Sequence, residues 1–232
     1  MNTMVFAHRG IPTREPENSL SGFKYCLEHG AAGLEFDIHL TKDNVPVVMH
    51  DEKIDRTTDG SGLINSYTYE ELCQFKLANG ERIPKLDELI ALVENQDIWL
   101  NLEFKTNKIH YPGIEKIVLQ KMNAAALKHH VIYSSFNIDS LRVAKILDEN
   151  QDYNFLFEKK LNDPAKVMKA EGLNGLHPGY YIPGLESHER IWTIDDPKEQ
   201  EKLFKAGVAG IFTNDFVSAE DLKNQILSKS TE

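Results

Sequence analysis

Short apolar runs alternate with amphipathic stretches along almost the whole chain, and this rhythm constrains the fold more than any other feature. Residues 5–8, 34–40, 98–104, 131–136, 155–157, 175–177, 190–194 and 210–213 read as eight strands. The stretches between them are mostly long enough for helices, which is the pattern of repeated βα units on a parallel sheet. Residues 45–49 form a ninth apolar run, but only the turn-like 41–44 separate it from the strand before. That is too short for a helical crossover, so it is predicted to return antiparallel. Leu20, Phe23, Leu27 and Ala31 recur at helical spacing behind Ser19, a candidate N-cap, with Gly30 near the end. Ile114, Ile117, Val118, Met122 and Ala125 make a second stripe, and a third helix is predicted from Asp196 and Pro197 to Gly207. Eight strands with intervening helices predict an α/β fold, a (β/α)8 TIM-like barrel. A doubly wound open sheet is the other arrangement this rhythm allows.

One segment breaks the repeat. Residues 51–84 are long, turn-rich at 57–62 and only weakly helical at 69–76, so they read as a small insertion after the second barrel strand. Insertions at that end of a barrel lie beside the active site, and this one is expected to form part of a lid or wall. No low-complexity linker divides the chain, so 1–232 reads as a single domain. A chain of this length buries roughly 70–75% of its unfolded surface and needs no disulfide to be stable. Cys26 and Cys73 stand apart from any CxxC or Cys/His cluster, which argues against a zinc ribbon or disulfide scaffold. The start, MNTMVFAHRG, lacks a basic region followed by an apolar stretch, and no apolar run reaches membrane-spanning length. The expectation is a cytoplasmic protein without stable membrane anchoring. A net charge of −10 argues against an electrostatic grip on nucleic acid or anionic membranes.

Two strands are polar on one face in a way that points to chemistry. In 34–40 alternation puts Leu34, Phe36, Ile38 and Leu40 on one side and Glu35, Asp37 and His39 on the other. Residues 98–105 repeat the phase, with Ile98, Leu100, Leu102 and Phe104 opposite Asn101, Glu103 and Lys105. In a barrel the apolar side packs on the helices, so the three acids are predicted to point inward. Like charges buried together raise one another's pKa and lose solvation, and a divalent cation is the simplest compensator. All-oxygen ligands favour Mg²⁺ or Ca²⁺ over Zn²⁺. The plainer reading is that such acids face solvent on an open sheet or pair with Arg and Lys.

His8 and His50 end apolar runs, and strand ends are where barrel enzymes place catalytic groups. An imidazole titrates near neutrality, as a general acid or base must. Arg9, beside His8, offers a fork for a phosphate. Cys26, Cys73, Phe136, Tyr180 and Tyr181 read as packing, and His129 and His130 as the cationic end of a helix.

The strings His8-Arg9-Gly10, Pro16-Glu17-Asn18-Ser19, Glu35-Phe36-Asp37, Thr41-Lys42-Asp43, His50-Asp51, Asp55-Arg56-Thr57-Thr58-Asp59-Gly60 and Asn101-Leu102-Glu103-Phe104-Lys105 resemble the glycerophosphodiester phosphodiesterase family. Ser134-Ser135-Phe136, His177-Pro178, Trp192-Thr193 and the stretch from Gly207 to Asp215 continue the match. The resemblance spans essentially the whole chain, and the order and spacing of the motifs make it specific.

The resemblance implies metal-dependent hydrolysis of glycerophosphodiesters, such as glycerophosphocholine or glycerophosphoethanolamine, to glycerol 3-phosphate and an alcohol. It implies that Glu35, Asp37 and Glu103 bind one divalent cation and that His8 and His50 form the acid/base pair. Arg9 and Lys105 match phosphate-holding positions, and Trp192 an aromatic wall of the substrate pocket. Water and the glycerol 2-hydroxyl are both chemically able to attack. A lysophospholipase D acting on lysophospholipids is the alternative enzyme, and a barrel that binds phosphodiesters without cleaving them is the non-enzymatic one. Two positions depart from the family pattern: Ser19 stands where Thr is commoner, and Asp195 where Asn is commoner. The second is expected to add a negative charge near the mouth.

Overall fold

The alternation read along the chain becomes strands that bury one face outward against helices and the other into a barrel. The computed structural model describes residues 3–229. Its strands are β1 (Met4–His8), β2 (Gly33–Leu40), β3 (Pro46–Val48), β4 (Trp99–Phe104), β5 (Ile132–Ser135), β6 (Asp152–Phe157), β7 (Gly175–Pro178), β8 (Arg190–Ile191) and β9 (Gly210–Thr213). The hydrogen-bonded order is β7-β6-β5-β4-β2-β1-β9-β8, and every neighbouring pair on this path is parallel. A parallel bridge between Leu176 and Glu189 joins the two ends of the order, leaving a nearly closed ring of eight strands. β3 pairs antiparallel with β2, Ile38 opposite Val48, as the short 41–44 link demands.

The helices are α1 (Leu20–Glu28), α2 (Tyr69–Leu72), α3 (Leu86–Val93), α4 (Ile114–Ala124), α5 (Ile138–Leu147), α6 (Pro164–Glu171), α7 (Pro197–Ala206) and α8 (Phe216–Lys229). Their ends follow local chemistry. The Ser19 side chain accepts from the Gly22 amide and caps α1, a contact worth about 1 kcal/mol. Asp196 accepts from the amides of Lys198 and Glu199 at the start of α7, Pro197 occupies the first turn, and Gly207 ends the helix at φ 75°.

The principal core lies between strands and helices: Leu34, Phe36, Ile38 and Leu40 of β2 and Leu100, Leu102 and Phe104 of β4 pack with Phe23, Leu86 and Val118. Each such aromatic or aliphatic side chain contributes about 1.5–3 kcal/mol by leaving water. A separate apolar plug, Phe6, Ile132 and Phe212 with Met4 and Trp99 against it, packs apart from that core on the inward phase of the strands. Residues 51–84 carry their own small core of Ile54, Ile64, Leu72, Leu77 and Ile83, which also takes in Val47 and Met49.

Two expectations need correction. β8 ends at Ile191, not at residue 194, because the chain leaves the sheet before Trp192, whose indole donates to the His177 carbonyl. His129 and His130 do not end a helix, since α4 stops at Ala124; His129 instead stacks on Trp99 and lies 2.7 Å from Asp97. Among the described residues no helix is long and apolar enough to cross a membrane.

Candidate active site

Register brings the chemistry together. β1 and β2 set His8 opposite Glu35, and β2 and β4 set Asp37 opposite Glu103. Because side chains alternate, all four face the barrel interior; Glu103 lies just before the end of β4, and Glu35, early in β2, is level with the end of β1. Glu35, Asp37 and Glu103 are buried, and one carboxylate oxygen from each lies within 4.8 Å of the others.

Two cations hold this cluster. The Lys105 ammonium lies 2.8 Å from Glu103 Oε1 and 3.6 Å from Asp37 Oδ1. Arg9 Nε is 3.6 Å from Asp37 Oδ2, and the Arg9 main-chain amide donates to Glu35 Oε2 at 3.0 Å. Arg9 reaches that position in a left-handed conformation at φ 54°, an uncommon one for a residue with a side chain. Gly10 follows at φ 84° and packs on α1, where a Cβ would meet the Gly22 main chain at 3.4 Å.

The acids divide according to these contacts. Burial pushes the Glu35 carboxyl well up, and the neighbouring Asp37 charge pushes it further. Burial likewise raises Glu103 to about 7 against the pull of Lys105. For Asp37 burial is outweighed by Lys105, His50 and Arg9, which hold it below the usual carboxylate range. Asp37 Oδ1 is buried and makes no hydrogen bond, Lys105 standing 3.6 Å away, so the cluster keeps acceptor capacity at that oxygen. Three buried carboxylates converging, with an oxygen of Asp37 left unbonded, fit a hard divalent cation.

The histidines flank the acids. His8 Nε2 is 3.9 Å from Glu35 Oε2, and its Nδ1 is 2.8 Å from the Asn214 side-chain oxygen. Burial, reinforced by the Arg9 charge, lowers His8 to about 4. His50 is also lowered by burial, although Asp37 opposes this, and its Nδ1 lies 2.6 Å from Asp51 Oδ1. Asp51 is gripped by Arg56, whose guanidinium also takes both oxygens of Glu17 at 2.7 Å. Glu17 in turn accepts from Arg9 at 3.2 Å. A chain of alternating charges therefore links the insertion to the loop after β1.

Trp192 lines the same hollow as His8, Glu35, Glu103 and His177. Phe136 meets Trp192 edge to face at 5.4 Å and lies 5.9 Å from the Lys105 ammonium, so it packs against two residues of the site. A wider groove runs beside α5, lined by Ile138, Ile146 and Leu173, but none of the acids or histidines above faces it.

Several residues of the site had no role assigned from sequence. Asn18, at φ 55°, donates to Asp37 Oδ2 at 3.0 Å. His39 was visible on the inward phase of β2, and a polar residue on that phase is itself the signal. Asn214 follows the end of β9, a position shared by barrel catalytic groups. Asp195 does not present a free charge at the mouth: its oxygens accept from the Thr213 hydroxyl, the Asn214 amide and the Asn214 side chain. Both cysteines are free thiols, and burial pushes Cys26 up to about 12, which suits packing and not nucleophilic work.

With this geometry in view, comparison with known proteins is direct. Residues 8–218 match the model of the glycerophosphoryl diester phosphodiesterase family. A glycerophosphodiester phosphodiesterase of Caldanaerobacter subterraneus subsp. tengcongensis is 38% identical, over 93% of this chain and 95% of its own. Among solved structures, a glycerophosphodiester phosphodiesterase from Parabacteroides distasonis is 30% identical and superposes with a TM-score of 0.83 over 99% of this chain and 98% of that one. An Oleispira antarctica phosphodiesterase in complex with the product sn-glycerol-3-phosphate is 26% identical, with a TM-score of 0.84 over 94% of this chain and 96% of that one. The chain belongs to the glycerophosphoryl diester phosphodiesterase family, and its fold is that of the family's (β/α)8 barrels.

Proposed function

We propose that the protein hydrolyses glycerophosphodiesters, such as glycerophosphocholine or glycerophosphoethanolamine, to glycerol 3-phosphate and an alcohol in a reaction that depends on a divalent cation. The observation that carries this reading is the buried trio Glu35, Asp37 and Glu103, with Asp37 Oδ1 unbonded, beside His8 and two cations. These three side chains would hold one Mg²⁺ or Ca²⁺, which when bound supplies positive charge against the non-bridging phosphate oxygens.

The chain's own residues account for the remainder. Arg9 and Lys105 are charged at any working pH and offset the phosphate charge from two sides. His8 and His50 are neutral at rest, so one is able to take the proton of the attacking oxygen. The arriving phosphodiester is an anion and favours protonation of the other imidazole, which then delivers its proton to the departing alkoxide. Trp192 and Phe136 form an apolar wall that excludes water from one side. In this reading the whole chain is one catalytic domain, with residues 51–84 as its rim. The product complex of the Oleispira antarctica relative supports the glycerol 3-phosphate side of the reaction.

The test is to incubate pure protein with glycerophosphocholine, with and without EDTA, restore Mg²⁺, Ca²⁺ or Mn²⁺, and measure choline and glycerol 3-phosphate. Metal-restored release of both products is expected. Absence of metal-dependent turnover with this and other glycerophosphodiesters would overturn the proposal.

A further inference from the structure

Asparagine has two ends of the same shape, and its partners decide which way it points. Asn214 Nδ2 lies 2.7 Å from Asp195 Oδ2. An ionised carboxylate only accepts hydrogen bonds, so the NH₂ end must face Asp195. The amide oxygen is thereby turned to His8 Nδ1, 2.8 Å away. That oxygen also only accepts, so Nδ1 must carry the imidazole proton. The lone pair of neutral His8 is then on Nε2, the nitrogen that faces Glu35.

The rest of the contact set anchors this arrangement. The second oxygen of Asp195 accepts from the Asn214 main-chain amide at 2.8 Å and from the Thr213 hydroxyl at 2.9 Å. The Asn214 carbonyl accepts from the Thr13 hydroxyl at 3.3 Å. Asn214 is thus held through its main chain and its side chain together, and Asp195 makes no contact with the acids of the centre itself.

We propose that Asp195 and Asn214 form a positioning relay that fixes His8 in its Nδ1–H tautomer and so keeps Nε2 turned toward the reaction centre as a proton acceptor. In water the two neutral tautomers of a histidine are close in energy, and one outward-facing carboxylate acting through one amide selects between them. The role in turnover rests on His8 serving the hydrolysis proposed above, whereas the tautomer itself does not depend on any substrate. Asp195 is a positioning residue: it acts on the reaction only through Asn214 and His8.

The relay makes a prediction that simple loss of a contact does not. In Asp195→Asn the new oxygen keeps its bonds to Thr213 and the Asn214 amide, and the new NH₂ faces the Asn214 side chain. Asn214 then flips and presents its own NH₂ to His8 Nδ1, which must become the acceptor, so the proton moves to Nε2. Adding Asn214→Asp removes the conflict, because a carboxylate at 214 accepts from both neighbours.

The experiment uses the full chain labelled with ¹⁵N in the histidine rings, stripped of metal, at pH 8. Long-range ¹H–¹⁵N spectra read the tautomer, with His8 assigned by the signals lost in His8→Gln. The expected result is Nδ1–H in the wild type, Nε2–H in Asp195→Asn and Nδ1–H again in the Asp195→Asn/Asn214→Asp double variant. In parallel, kcat on glycerophosphocholine with Mg²⁺ should fall by about tenfold or more in the single variant, with KM changed by less than about twofold, and recover in the double variant. An Asp195→Asn protein that keeps the Nδ1–H form, or that switches tautomer with unchanged kcat, would overturn the relay. A wild type with the Nδ1–H signature but no turnover would instead count against the proposed hydrolysis and leave the tautomer assignment standing.

Discussion

His39 holds the main chain of His50: its Nε2 lies 3.0 Å from the His50 carbonyl oxygen, and its Nδ1 lies 2.9 Å from the Tyr111 hydroxyl. A carbonyl only accepts, so Nε2 donates and Nδ1 accepts from the phenol. Burial keeps this histidine neutral by lowering it to about 4, which suits a ring that must donate on one side and accept on the other. β2 therefore supplies two metal-ligand candidates and the brace for one candidate catalytic imidazole from consecutive inward positions.

Removing the brace should slow the reaction without abolishing it. Tyr111→Phe takes away one buried hydrogen bond and is expected to cost about 1 kcal/mol of stability and a few-fold in kcat. His39→Leu removes both bonds and should cost about tenfold or more. Steady-state kinetics and thermal melts check this, and wild-type kcat in both variants would show that His50 is held by other contacts.

Metal binding and proton transfer should separate by mutation. Wild-type protein stripped with EDTA should melt higher when Mg²⁺ or Ca²⁺ is restored, by about 2.7 kcal/mol at a hundredfold excess over Kd. Asp37→Asn and Glu35→Ala should lose most of that rise. His8→Ala should keep it while turnover falls by about 10²–10⁴. Calorimetric titration reads the first effect and product release the second; a His8→Ala enzyme at near wild-type rate would show the acid/base assignment to be wrong.

Glu189 gives a pH-dependent stability from outside the candidate centre. It is fully buried before β8, one oxygen accepts from the Ile182 amide at 3.0 Å, and the other has no partner. Burial raises its carboxyl to about 7. The folded protein thus keeps a proton that the unfolded chain releases near pH 4.5, so stability falls as pH rises between these values and then levels off. Glu189→Gln should stabilise by about 2 kcal/mol at pH 8 and by almost nothing at pH 4.5, read from denaturant midpoints at each pH. An equal effect at both would mean that the carboxyl does not titrate in that window.

Much of this was legible in the chain because the barrel imposes a period of two. Glu35, Asp37 and Glu103 could be set on one inward face from alternation alone, and Ser19, Asp196 and Gly207 marked helix ends by their own chemistry. α5 was harder to read, since Val143, Ile146 and Leu147 are apolar yet exposed and blur the helical stripe. His129 followed a helical pattern in sequence but is drawn off by stacking on Trp99, a contact between segments far from obvious in a linear reading. Asn18, Asn214 and the Arg56 clamp act across loops, and no local periodicity records which loops will meet. For Asp195 the residue type signalled charge, but only the fold reveals that the charge is turned on an amide.

Arg56 ties Glu17 to Asp51, and through them touches the loop of Arg9 and the loop of His50. Residues 51–84 also share a small core with Val47 and Met49, and Lys108 to Glu52 at 3.1 Å and the Tyr69 amide to Asp43 at 3.0 Å tie them to the barrel elsewhere. The segment can therefore accept changes in its interior and outline where these ties and the packing on Val47 and Met49 are kept. A designer wishing to graft a different rim onto this barrel, and with it a different neighbourhood for the departing alcohol, has the Arg56 fastening to reproduce first, because it reaches both the loop of Arg9 and the loop of His50.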